Sequence, residues 1–160
     1  MSELNPYDKF RDGRPLEVIL VSTPDALAAL FQKLGSEKAA AAPAPGKWSP
    51  AQIVCHLADC EIAFGFRLRQ TLAEPGHTIQ PFDQDKWAPP YTGISAADAL
   101  AAFAALRRWN LLLLAYALPK HAGVEVTHPE RGTMTFQTIV ETMAGHDLNH
   151  LAQIERLVAS

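Results

Sequence analysis

The sequence predicts an all-α four-helix bundle, and three observations carry that expectation. Apolar residues recur at helical spacing over several long stretches of the 160-residue chain. Two capping sequences, Ser49-Pro50 and Ser95 with Asp98, mark helix starts ahead of such stretches. A long proline-containing stretch, 76–93, separates the middle helices as a crossover, a connection that bundles accommodate.

Each element follows from its ends. In the first helix, Thr23-Pro24 reads as a cap and first residue, followed by Leu27, Leu30, Phe31 and Leu34. Residues 15–21 are then either a short preceding helix or the same helix kinked at Pro24. Residues 39–46 carry two prolines and read as a connection. The second helix has the fullest signature. Ser49 is its N-cap, Pro50 occupies the first turn, Gln52 completes a capping box, and Trp48 staples onto Ile53. It runs to about Leu72, where Glu74-Pro75-Gly76 stops it, and Ile53, Leu57, Cys60, Phe64 and Leu68 form its inward stripe. The crossover 76–93 is expected to be non-helical and holds Phe82, Trp87 and Tyr91. The third helix starts at Ser95 and ends before Pro119, with Leu100, Phe103, Leu111, Leu114 and Leu118 on its apolar faces. Residues 124–134 read as a small hairpin turning at 128–132. The fourth helix begins near Thr135 with the stripe Phe136, Ile139, Met143, Ile154 and Leu157. There is no internal repeat, and residues 1–160 read as one domain.

Composition excludes several function classes. Hydrophobic residues make up 48% and charged residues 19%, which places the chain among globular proteins. A net charge of -3 without any Lys/Arg run argues against nucleic acid as a partner. No uninterrupted apolar run approaches the roughly 20 residues of a membrane span, and residues 1–10 do not read as a secretory signal, so a cytoplasmic protein is expected. Cys55 and Cys60 fit that expectation; five residues apart on one helix, they are badly placed to bridge.

The histidines carry the chemistry. His146 and His150, four residues apart, stack on one face of the fourth helix within the arc of Ile139, Met143 and Ile154. Burying two neutral imidazoles requires partners, and a metal ion takes one lone pair from each. His56 sits at the edge of the second helix's stripe. Three histidines on two facing helices suit a transition metal with positions left open for water or substrate. An H-x-x-x-H pair alone is weak evidence for a metal, since core histidines with hydrogen-bond partners show the same spacing; the third histidine on a facing helix strengthens it.

Two segments, Trp48-Ser-Pro-Ala-Gln-Ile-Val-Cys-His56-Leu-Ala-Asp59 and Gly145-His146-Asp-Leu-Asn-His150-Leu-Ala-Gln-Ile154, resemble the DinB-like superfamily of metal-binding bundles. The stretch from His77 to Trp87 and the Thr127-His128-Pro129 turn resemble its YfiT-type branch, and the likeness runs from about Leu20 to Val158. It implies a zinc or nickel site at His56, His146 and His150, and a homodimer. Trp109 and Leu111–Leu114, apolar beyond one stripe, agree with the dimer. It also implies an enzyme on a small-molecule substrate: a metal-dependent hydrolase, or a transferase using a low-molecular-weight thiol such as bacillithiol. YfiT-type proteins are richer in histidine between the last two ligands, where this chain has Asp147, Leu148 and Asn149.

Other residues have two readings each. Arg67, three turns beyond His56, either binds a carboxylate of substrate or thiol, or makes an ion pair. Asp83 and Trp87 either cover the substrate pocket or order the crossover loop. Cys60, one turn from His56, is either a fourth ligand or a buried structural cysteine. Asp59 is expected on the flank of its helix, and His77, His121 and His128 as solvated or turn residues. A metal-held thiolate is a nucleophile without further help. Metal-promoted hydrolysis wants a nearby base, for which only Asp59 and Asp147 come close. A purely structural metal, or a non-catalytic binding module, is the third reading, and a tight fourth protein ligand would favour it.

Overall fold

A computed structural model describes residues 4–159. Four long helices form the bundle: α1 (Leu16–Ala40), α2 (Pro50–Ala73), α4 (Ala96–His121) and α5 (Phe136–Ala159). The crossover is not wholly irregular. It contains one helical turn, α3 (Gln84–Trp87), and a 3-10 turn, Pro89–Gly93. Asp83 makes α3 by accepting hydrogen bonds from the Asp85 and Lys86 amides. Strands β1 (Glu125–His128) and β2 (Gly132–Thr135) pair as the antiparallel hairpin, with Val126 opposite Met134. Thr78 adds a parallel bridge to Thr127, tying the crossover to the hairpin.

The packing pairs are α2 with α4 and α1 with α5, closed into a ring by α1 with α4 and α2 with α5. Consecutive helices α1 and α2 therefore lie on a diagonal, as do α4 and α5. That arrangement makes α2 and α5, which carry the three histidines, direct neighbours.

The caps form as the sequence predicts. Ser49 and Gln52 make the reciprocal capping box. At the start of α4 the Ser95 hydroxyl accepts from the Asp98 amide and donates to the Asp98 carboxylate. Thr135 caps α5 by accepting from the Thr138 amide. Pro24 and Pro119 both turn out to be interior. Residues 16–21 belong to the same helix as Pro24, the second of the two readings, so α1 starts at Leu16 and not at Thr23; its non-helical residue is Gly35 (φ 75°, ψ 163°) and not Pro24. The Thr23 hydroxyl donates back to the Ile19 carbonyl instead of capping. Pro24 has no N–H for the Leu20 carbonyl, and Arg107 Nη1 on α4 supplies that bond at 2.9 Å. α4 likewise continues through Pro119 to His121, one turn further than expected.

Length and apolarity alone would let α1 and α4 cross a membrane; each has a mean hydropathy of 1.2 over its most apolar window. Absence of a long apolar run was thus too strict a criterion for these two helices. Here both pack into the bundle, and α4 carries the fully buried Arg107.

One guanidinium joins all four helices. Arg107 donates to both carboxylate oxygens of Asp147 on α5, at 2.6 and 3.0 Å, and to Glu61 on α2 at 2.7 Å, besides the Leu20 carbonyl on α1. Asn110 Nδ2 donates to the second Glu61 oxygen at 3.0 Å and to the Glu61 carbonyl at 2.9 Å. Burial alone would lower the Arg107 pKa; the Asp147 and Glu61 carboxylates reverse that and hold it above the ordinary value.

Candidate metal centre

His56 on α2 and His146 and His150 on α5 converge. His146 Nε2 lies 3.1 Å from His56 Nε2 and 3.2 Å from His150 Nε2, and each residue offers a ring nitrogen within 4.8 Å of the other two. His56 and His146 are buried and His150 is half-buried. Their local positions follow from helix geometry: four residues bring His146 and His150 one turn apart, and the Ser49–Gln52 capping box sets the helix in which His56 sits.

The shell around the rings holds them. Tyr7 packs edge-on against His146 with ring centroids 4.9 Å apart, and Trp48 lies 5.1 Å from the His56 ring. Gly145 permits the first contact, because a Cβ there would overlap the Tyr7 carbonyl oxygen. His150 Nδ1 faces Gln153 Oε1 at 3.0 Å. An amide oxygen there calls for the proton on Nδ1, which leaves the lone pair on Nε2, aimed at the cluster.

Electrostatics keeps the rings neutral. Burial, with a smaller contribution from His150, lowers the His56 pKa to about 4. Burial and then the two neighbouring imidazoles push His146 well below the ordinary value. His150 is also lowered by burial, against the opposing pull of Gln153 and Asp147. The resulting donor set fits a metal ion. His146 Nε2 faces two other nitrogens, and one proton can bridge only one of those pairs, whereas a single cation accepts from all three.

A cavity of about 240 Å³ opens beside the cluster. His56, Cys60 and His146 line it together with Tyr7, Phe64, Arg67, Phe82, His128, Glu130 and Arg131. Arg67 is thus on the cavity wall, its guanidinium 5.7 Å from the Phe82 ring centre and donating to the Gln80 carbonyl at 3.3 Å. Asp83 and Trp87 are not among the lining residues. Asp83 caps α3 and pairs with Lys86 at 3.2 Å, and Trp87 packs on Phe82 with centroids 4.8 Å apart, so both order the crossover loop. Asp59 stands on the flank of α2, accepting the Tyr91 hydroxyl at 2.6 Å. His77 is in a loop, but His128 is buried at the end of β1, its Nδ1 accepting from the Glu130 amide.

Sequence reasoning missed Glu61, Arg107 and Asn110, as well as Tyr7 and Gln153. A signal for the first three exists. Arg107 and Asn110 occupy the stripe that Phe103 and Leu114 define on α4, and Glu61 that of Leu57, Phe64 and Leu68 on α2. Charged groups on an inward stripe must find one another.

Comparison with known proteins agrees with this architecture. An Oceanobacillus iheyensis protein named as a putative metal-dependent hydrolase is 28% identical over 167 residues, spanning 98% of this chain and 96% of the relative. A Bacillus cereus protein of the same name is 25% identical over 162 residues, 95% of this chain and 93% of its own. The solved structure of YfiT from Bacillus subtilis, described as a probable metal-dependent hydrolase with an unusual four-helix bundle topology, superposes with a TM-score of 0.78. At 22% identity over 92% of this chain and 89% of that one, it shows a shared fold. Residues 19–154 match the family as a unit, and the chain belongs to the DinB superfamily.

Proposed function

We propose that the protein is a divalent-metal-dependent enzyme, loaded with zinc or nickel at His56, His146 and His150, that transfers groups to or from a low-molecular-weight thiol. The observation behind this reading is the cavity: His56 and His146 of the three-histidine cluster stand on its wall, and two arginines, Arg67 and Arg131, line it with them. An ion held by the three histidines would supply Lewis acidity, lowering the pKa of a thiol or water that reaches it. The arginines suit an anionic partner. Arg67, steadied by Phe64, Phe82 and the Gln80 carbonyl, is placed to hold a carboxylate of a thiol cosubstrate by paired hydrogen bonds. Phe64 and Phe82 exclude water from one wall. The carboxylates sequence-adjacent to the histidines are committed elsewhere: Asp147 and Glu61 to Arg107, and Asp59 to Tyr91. A thiol that ionises on the metal needs no such base.

Hydrolysis is the second reading. The names of the relatives favour it, and Glu130 is the one acidic residue among those that line the cavity. One experiment separates the two. Metal-loaded protein is incubated with a model electrophile, with and without bacillithiol, mycothiol, coenzyme A or glutathione, and thiol loss is followed. Thiol-dependent turnover is expected, with Arg67→Ala mainly raising the thiol KM. Equal turnover of esters or amides without thiol would replace the transferase by the hydrolase. His146→Ala should bring bound metal, measured by elemental analysis, to trace levels, and unchanged metal content would remove the site itself.

A further inference from the structure

We infer that Glu61 and Asp147 are the outer counter-charge of the metal centre: bound to one guanidinium, Arg107, they leave one negative charge over in the interior beside the histidines, and that charge tightens the hold on a divalent cation. This rests on the three-histidine site proposed above. Among the described residues the buried charged side chains are these three, Arg107 1% and Glu61 and Asp147 each 2% exposed. Asp147 accepts from Arg107 at both oxygens, and Glu61 accepts from Arg107 at one oxygen and from Asn110 at the other. An acceptor at every oxygen is the pattern of two carboxylates, not of a carboxylic acid, which must donate once. Arg69 stands at one remove: half-buried, it donates to Asn110 Oδ1 at 2.9 Å, and Asn110 in turn donates to Glu61.

Two carboxylates and one guanidinium do not balance, and an unbalanced charge in the interior is costly. The histidines supply the place for what balances it. Asp147 follows His146 on α5 and stands three residues before His150, and Glu61 stands five residues after His56 on α2. The Asp147 charge is felt at the His150 ring and the Arg107 charge at the His146 ring. Neutral imidazoles bring no charge of their own. A divalent ion on them carries two positive charges into the same interior, and the leftover negative charge offsets part of that. Buried, it is screened little by water or salt.

Holding the helices together would not require this stoichiometry. A guanidinium paired with one carboxylate and one amide would tie the same helices without a net charge.

Shape and charge are separable at Glu61. Glu61→Gln keeps the shape and removes the charge, whereas Glu61→Asp keeps the charge and shortens the side chain. Zinc affinity of the full chain is measured by competition with a chromophoric chelator. Glu61→Gln should bind zinc about tenfold more weakly, the size of effect usual for groups behind metal ligands, while Glu61→Asp stays nearer to wild type. Asp147→Asn and Asp147→Glu repeat the comparison from α5 and serve where Glu61→Gln does not fold. Cobalt-loaded protein gives a second readout. In Glu61→Gln the pH midpoint of its visible spectrum should move down, because a more positive centre releases a coordinated water's proton more readily. Equal weakening by the charge-removing and the charge-keeping variants would make the network a matter of shape and overturn the counter-charge. Unchanged zinc affinity or an unmoved midpoint in Glu61→Gln would overturn it too, and all three results leave the three-histidine site standing. A wild type that binds neither zinc nor cobalt would overturn both.

Discussion

Arg107 and Arg108 are neighbours on α4 with opposite surroundings. Arg107 is 1% exposed and ties Asp147, Glu61 and the Leu20 carbonyl together behind the histidines. Arg108 is exposed and lines an apolar groove of about 620 Å³ between α1 and α4, walled by Leu16, Leu20, Val21, Leu111, Leu112, Leu114 and Leu118. Val21 and Leu112 on its wall are 53% and 62% exposed, and Val18 on α1 and Trp109 and Tyr116 on α4 are also 48–62% exposed. The interior behind the site is therefore specified by directional polar contacts, and the outer α1–α4 face mainly by apolar area, with Glu17 and Arg108 as its charged lining residues. Directional contacts fix the position of helices relative to one another, whereas apolar area is satisfied by any surface that excludes water.

The largest effect should come from breaking the polar side of this contrast. Arg107→Met leaves Glu61 and Asp147 as uncompensated buried carboxylates, and removing one partner of a buried pair costs about 3–5 kcal/mol. Arg108→Met, one residue along, should stay within about 0.5 kcal/mol. Denaturant titration of both variants measures the difference, and equal effects would erase the distinction between the two regions.

Acidity probes the same interior more gently. The His56 pKa falls from its ordinary 6.5 to about 4 on folding, and His146 and His150 fall too. The unfolded chain therefore binds these protons first. The stability of metal-free protein should be complete above pH 6.5 and decline as pH drops through 6.5 towards 4. For His56 alone the loss is on the order of 3 kcal/mol. Chelator-treated protein melted between pH 4 and 8 shows it, and a flat profile across that window would mean the rings are not buried neutral.

On the apolar side, we propose that a second copy of the chain covers α1 and α4. Leu112→Glu should scarcely alter the stability of the single chain, since Leu112 is 62% exposed, but should shift a dimer to monomer by light scattering. A monomeric wild type at micromolar concentration would rule the homodimer out.

Among these features, those legible in the sequence share a short range. The Ser49–Gln52 and Ser95–Asp98 caps are hydrogen bonds between residues three apart, and His146 and His150 share a face because they are four apart. His56 could be assigned to the same site because it, too, lies beside an apolar stripe. Pro24 shows where local reading stops. By itself a proline after a threonine marks a helix start, and only a donor 87 residues away, Arg107, makes an interior proline tolerable by satisfying the carbonyl it strands.

The sequence by itself determined the four helices, the starts of α2, α4 and α5 and the pair of histidines on one face, because each depends on spacing within a single helix. Only the tertiary structure decided that α2 and α5 are neighbours, that Glu61 and Asp147 spend their charges on Arg107, and that Cys60 faces the imidazoles. It also put Asp83 and Trp87 to work on the loop, away from the cavity lining. The helix pairing and the Arg107 ion pairs depend on partners 40 to 90 residues distant, chosen by which helix faces meet, and nothing in local periodicity records that choice.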